Sequence, residues 1–110
     1  MIIINVVRDN KEIKKIEVSG HSGYEEAGKD IVCSAVSTSM ILTINLLEKL
    51  NVNFKCDSDE KIPLISLNII STNSIDDMKI VNTILENLID TFKEIQNQYK
   101  KYLKIYEIRR

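Results

Sequence analysis

Residues 2–7 are dominated by β-branched side chains and predict a strand. Residues 13–19 predict a second, in which Ile16 and Val18 alternate with Glu17. The step from Ile13 to Ile16 breaks strict alternation, which predicts a bulge. Arg8-Asp9-Asn10-Lys11 between them is a polar turn, so the pair reads as an antiparallel hairpin. A different period follows. Val32, Ala35, Val36, Ser39, Met40, Thr43, Ile44, Leu47 and Leu50 recur at three- and four-residue steps, one face of a helix over residues 31–50. Asp30 stands at its N-cap position. Residues 52–56 predict a short strand and residues 57–60 a turn. In residues 64–70, Ile65, Leu67 and Ile69 alternate with Ser66 and Asn68, another strand. Ser74-Ile75-Asp76-Asp77 resembles a capping box with Asp in place of Glu. It opens a helix carrying Val81, Ile84, Leu85, Leu88, Ile89, Phe92 and Ile95 on one stripe. Residues 102–108 predict a last strand. The order β-β-α-β-β-α-β, with one-sided helices, predicts a single α+β domain: a mostly antiparallel sheet of about five strands with two helices.

Composition narrows the class. The chain has 110 residues, 44% of them hydrophobic, which suits one globular domain and argues against disorder. A domain of this size buries roughly 60–70% of its unfolded surface and needs no disulfide or metal to fold. The formal charge of −1 lacks the basic excess of a nucleic-acid binder, so no direct nucleic-acid binding is expected. Cys33 and Cys56 are too few for a secreted disulfide scaffold, and with one histidine they cannot complete a structural zinc site. The longest uninterrupted apolar run, residues 1–4, is far short of a membrane span. The expectation is a cytoplasmic protein with reduced thiols and no membrane association.

All three glycines fall between residues 20 and 28: Gly20, Gly23 and Gly28. Concentrated in one segment, they indicate special backbone requirements or a loop that moves. His21, the only histidine, lies at one end of this segment. Cys33 lies at the other, in the first turn of the predicted helix. A helix start stabilises a thiolate through its free N–H groups and dipole, and a nearby imidazolium would lower the thiol pKa further. The same N–H groups are candidates for an oxyanion hole. The spacing alone also fits a small buried cysteine and a structural histidine.

Gly20-His21 followed by Gly28-Lys29-Asp30-Ile31-Val32-Cys33-Ser34-Ala35-Val36-Ser37 resembles the signature of the bacterial ribosomal-processing cysteine proteases, the Prp family. The pattern is G-H, eleven residues, then C within G-x-D-I-V-C-[AS]-x-x-S, and no motif position departs from it. The resemblance implies an endopeptidase with Cys33 as nucleophile and His21 as base, without metal or organic cofactor. It implies as substrate a large-subunit ribosomal protein bearing a short N-terminal extension. It also implies a homodimer and a glycine-rich active-site loop over residues 20–30 that opens for the peptide. Within it, Gly20, Ser22, Gly23, Tyr24 and Gly28 are candidate substrate-binding residues, the alternative being a solvated loop.

Two supporting residues keep two readings each. Asp30 either caps the helix or orients His21 as carboxylates do in triads. Ser37, one turn after Cys33, either bonds near the nucleophile or bonds back to a helix carbonyl. Cys56 reads as a structural strand residue. Lys100, Lys101, Lys104, Arg109 and Arg110 read as a solvated strand face and tail. Two rival functions remain at this level: a non-catalytic ribosome-assembly or binding module on the same fold, and a redox-sensing thiol.

Overall fold

The computed structural model describes residues 1–20, 27–59, 64–72 and 74–109. The elements run β1 (Ile2–Asp9), β2 (Glu12–Ser19), α1 (Ala27–Lys49), β3 (Asn53–Asp59), β4 (Leu64–Ser71), α2 (Ile75–Gln98) and β5 (Leu103–Arg109). The order is the one the periodicities predict. The strands form a mixed five-stranded sheet in the order β3-β4-β2-β1-β5. Every pairing is antiparallel except β1 with β5.

The β1–β2 hairpin turns at Asn10, whose φ of 57° is the left-handed conformation asparagine tolerates better than most residues. The predicted bulge is present. Val7 pairs with Lys15 but Arg8 with Ile13, so Lys14 is the extra residue. That insertion brings both Ile13 and Ile16 to the buried face. One face of the sheet, with Ile2, Ile4, Val6, Ile13, Ile16, Val18, Leu67 and Leu103, meets both helices in a single cluster. Val32, Val36, Met40 and Leu47 enter it from α1, and Val81, Leu85, Leu88, Ile89 and Phe92 from α2. These are the inward positions of the two predicted stripes.

Ser74 caps α2, its Oγ accepting a hydrogen bond from the Asp77 N–H at 3.1 Å. α1 ends in a motif the sequence reading did not assign. The Val52 N–H donates to the Leu47 carbonyl and the Asn51 N–H to the Glu48 carbonyl, around a left-handed Asn51. This turn leaves Leu50 exposed instead of on the core stripe. The predicted turn at 57–60 also gives way: β3 continues to Asp59, pairing Asp57 with Ser66 and Ser58 with Ile65. β3 is an edge strand and its residues 55–58 are exposed, so polar side chains cost it little and the ladder decides. The basic Lys100, Lys101, Lys104 and Arg109 are exposed, as a solvated face requires.

Arg8 faces the core at the end of β1 and is neutralised there. Its guanidinium donates to Glu86 at 2.6 Å and to Glu107 at 3.1 Å. Burial alone would lower the Arg8 pKa, but the two hydrogen bonds and both carboxylate charges outweigh it and raise the pKa. The Arg8 hydrogen bond in turn holds the Glu107 carboxyl below its ordinary range, against burial and with help from the charges of Arg8, Lys93 and Arg109. A carboxyl whose folded pKa is depressed stabilises the fold above its unfolded pKa of about 4.3. That stabilisation fades as pH falls through the lower folded value. Glu107→Gln is therefore expected to lose about 1.5–3 kcal/mol at neutral pH, the scale of a hydrogen bond to a charged group. The deficit should close in acid, well below pH ~4. Urea midpoints of both proteins across pH measure it, and a deficit that is constant down to strong acid contradicts the assignment.

Candidate active site

α1 begins at Ala27, four residues earlier than the hydrophobic stripe indicates. Residues 27–30, Ala-Gly-Lys-Asp, add nothing to the hydrophobic periodicity that marks the stripe. This one shift revises three expectations. Asp30 is the fourth helical residue, so it is not the N-cap. Gly28 is the second residue of α1 and belongs to the helix, so the glycine-rich loop does not extend to residue 30. Cys33 is the seventh residue and sits in the second turn.

The last point changes the electrostatics. Residues in the second turn donate their N–H groups to carbonyls four residues back, so the Cys33 N–H belongs to the helical ladder. The N–H groups of the first turn up to residue 29 have no partner within the helix. A rise of about 1.5 Å per residue puts those of residues 27–29 roughly 6–9 Å along the axis from Cys33. The macrodipole's effect falls off within that first turn. Activation of a Cys33 thiolate therefore requires a neighbouring cation more than the helix start.

Cys33 is half-buried and packs against the core cluster, between the buried Val32 and Val36 of the same helix. Ser37, one turn further on, is exposed. Ser39 shows the alternative considered for Ser37, its Oγ donating to the Ala35 carbonyl at 2.8 Å. Cys56 lies on β3 opposite Leu67 and is exposed rather than packed. Burial of its thiol group, and then the charges of Asp57 and Glu48, push its pKa up. A thiol held protonated is a poor nucleophile at neutral pH. The two cysteines thus differ in environment, and neither is in a disulfide.

Gly20 follows β2 directly. It has φ +113°, and a side chain there would overlap the Met1 carbonyl oxygen and lie 2.9 Å from the Ile2 Cα. Close backbone packing, not only mobility, accounts for this glycine. His21, Ser22, Gly23 and Tyr24 lie outside the described residues. A cavity of about 70 Å³ lies between the end of α1 and the start of α2, lined by Leu50, Val52, Asp77 and Ile80 among others. It is some 25 Å of helix away from Cys33 and takes no part in this site.

Comparison with known proteins places this geometry. Residues 1–104 match the family described as cysteine protease Prp. The fold is similar to that of an essential ribosomal processing protease, Prp from S. aureus, in complex with a substrate peptide. The TM-score is 0.86 at 17% identity, over 97% of this chain and 99% of the other. The same S. aureus protease with a covalently linked product peptide aligns at TM-score 0.81 and 20% identity, over 97% and 99%. A Streptococcus mutans protein aligns at 0.81 and 23% identity, over 100% and 96%. No curated protein matches the chain.

Proposed function

Because the chain belongs to the cysteine protease Prp family, and so is a peptide-bond hydrolase acting through a cysteine, we propose that it removes the short N-terminal extension of a large-subunit ribosomal protein during ribosome maturation. The observation that carries this reading is the family match over residues 1–104, which spans both His21 and Cys33. The S. aureus relatives, described as ribosomal processing proteases, lend it support through a shared fold.

In this reading the Cys33 thiolate attacks the scissile carbonyl carbon, with the proton held on His21. The tetrahedral intermediate collapses as the C–N bond breaks and His21 donates its proton to the leaving amine. A thioester remains on Cys33. Water, deprotonated by the now neutral His21, attacks that thioester. The C–S bond breaks, the new carboxylic acid leaves and gives its proton to solvent, and the thiolate–imidazolium pair is restored. Asp30 orients His21. Gly20, Ser22, Gly23, Tyr24 and Gly28 flank the peptide, and Ser37 supports the nucleophile's surroundings.

The working form is a homodimer in the cytoplasm, where ribosomes are assembled and thiols stay reduced. The outward side of α1 supports the dimer. Ile31, Ile41 and Leu42 are exposed there, and the helix carries no charge from Ile31 to Leu47. A helix apolar on both sides is normally covered on both. Its 19-residue stretch Ile31–Lys49 has the length and composition of a membrane span, but its inner face is packed on the sheet.

Incubating the purified chain with an extended ribosomal precursor tests the reading. Catalytic release of the extension, with a single new N-terminus by mass spectrometry, is the expected result. Binding at one-to-one stoichiometry without cleavage would replace it with a non-catalytic assembly role.

A further inference from the structure

The sheet has two edge strands, β3 and β5, and they differ. β3 carries exposed charge at Lys55 and Asp57. β5 is seven residues long and exposes Tyr106 and Ile108, both on the face turned away from the helices. An exposed apolar edge is a template on which another strand can add. The phase of the ladder shows which backbone groups are on offer. Ile2 pairs with Leu103, and the Ile2 N–H donates to the Tyr102 carbonyl at 2.8 Å. In a parallel pair this assigns the backbone groups of the even-numbered residues of β5 to β1. The N–H groups of Ile105, Glu107 and Arg109 therefore face outward, along the edge. The first of these is taken. The Ile105 N–H donates to Oε1 of Gln96 at 3.0 Å. The body of α2 does not cover the edge, since a cleft of about 490 Å³ opens there, lined by Lys93, Gln96, Asn97, Ile105 and Glu107. A single side chain reaches across, and its carbonyl stands where the carbonyl of an added strand would stand. α2 uses the same device about four turns earlier. Asn82 Oδ1 accepts from the Ile13 N–H at 2.9 Å, beyond the stretch of β2, residues 15–19, that pairs with β4. Both amides supply an acceptor to a sheet N–H where the ladder offers none.

We infer that Gln96 closes the β5 edge: its carbonyl occupies the Ile105 N–H and so denies that edge to the β5 of a second copy of this chain. The second copy is the occupant the edge fits. Two β5 edges meeting antiparallel make a self-complementary contact, which brings Tyr106 and Ile108 of both copies side by side. The inference is independent of the proteolytic reading and of an interface at α1. It assigns the β5 edge to a contact that the folded chain suppresses.

The test compares Gln96→Met with Gln96→Glu. Both keep the length and helix propensity of glutamine, but only glutamate keeps an acceptor oxygen. Two readouts are taken: exchange of the Ile105 amide by NMR, and sedimentation velocity over a wide range of protein concentration, with the parent's own assembly as baseline. Gln96→Met should speed exchange of the Ile105 amide by roughly 2–10-fold, the range that the loss of one hydrogen bond allows. It should also add larger species that grow with concentration. Gln96→Glu should match the parent in both readouts. Adding Ile108→Lys to Gln96→Met places like charges across the new contact and should return sedimentation to the parental pattern while the Ile105 amide stays fast. Faster exchange with parental sedimentation in Gln96→Met overturns the inference, since the bond would then serve the fold alone. Unchanged exchange overturns it as well, because the edge would be closed by something other than Gln96. Larger species that persist with Ile108→Lys place the new contact away from β5 and overturn it too. Should Gln96→Met not fold, Gln96→Ala removes the same acceptor and is read against the same outcomes.

Discussion

Cys33→Ala should leave a folded protein that binds the precursor peptide and does not cleave it. The fold survives because alanine is the best helix former and Cys33 is only half-buried, so little packing is lost. Val32 and Val36, the fully packed neighbours on α1, are untouched. The chemistry does not survive, because no other group can form the thioester. Removing a nucleophile that works with a base costs on the order of 10⁴–10⁶-fold in kcat. Turnover of an extended precursor, with peptide binding followed by fluorescence anisotropy, measures both halves of this expectation. Cleavage retained in the variant would remove the mechanism altogether. Cys56→Ser is the matched control and should change the rate little. The residue is exposed on an edge strand, and partial burial of its thiol, with the charges of Asp57 and Glu48, raises its pKa.

The second large effect belongs to His21. Because Cys33 sits in the second turn of α1, the helix start contributes little to its ionisation. In the proposed mechanism the His21 imidazolium is the cation that favours the Cys33 thiolate. His21→Ala should lower kcat/KM by at least ~10²-fold. It should also change the shape of the pH dependence. The parent is expected to show a bell, its two limbs belonging to the coupled pair. The variant should instead rise with pH like an unassisted thiol of pKa about 8.5. A Cys33 that is alkylated rapidly at pH ~6 in His21→Ala would mean that something other than His21 holds the thiolate below that ordinary value. A parental rate that simply climbs with pH would make His21 a structural residue.

Most of the framework was legible along the chain. Period-two alternation in β4, the broken alternation that marks the bulge at Lys14, and the 3.6-residue stripe of α2 each report on which side chains touch the core. Burial is the strongest force on those positions, so their pattern survives in the sequence. The Ser74 cap was legible for a similar reason, since it is a contact between residues three apart. The segment joining Gly20 to Cys33 carried the family signature, so the candidate nucleophile and base were named from residues alone.

Positions governed by something other than burial were not legible. The start of α1 was misplaced because the sequence of its first turn, Ala-Gly-Lys-Asp, does not extend the hydrophobic periodicity, and that error made Asp30 a cap and put Cys33 at the helix start. β3 ran through an acidic stretch that reads as a turn, because an edge strand answers to its ladder partner more than to its own side chains. The parallel pairing of β5 with β1 joins residues about a hundred positions apart, and no local pattern records which neighbour a crossover strand will find. The wedging of Gly20 against Met1 and Ile2 is of the same kind. The sequence alone supplied the element order, the core stripes and the chemical identities of Cys33 and His21. Only the tertiary structure decided how far Cys33 stands from the helix start and why Gly20 must be glycine, because both depend on where backbones meet rather than on which side chains are apolar.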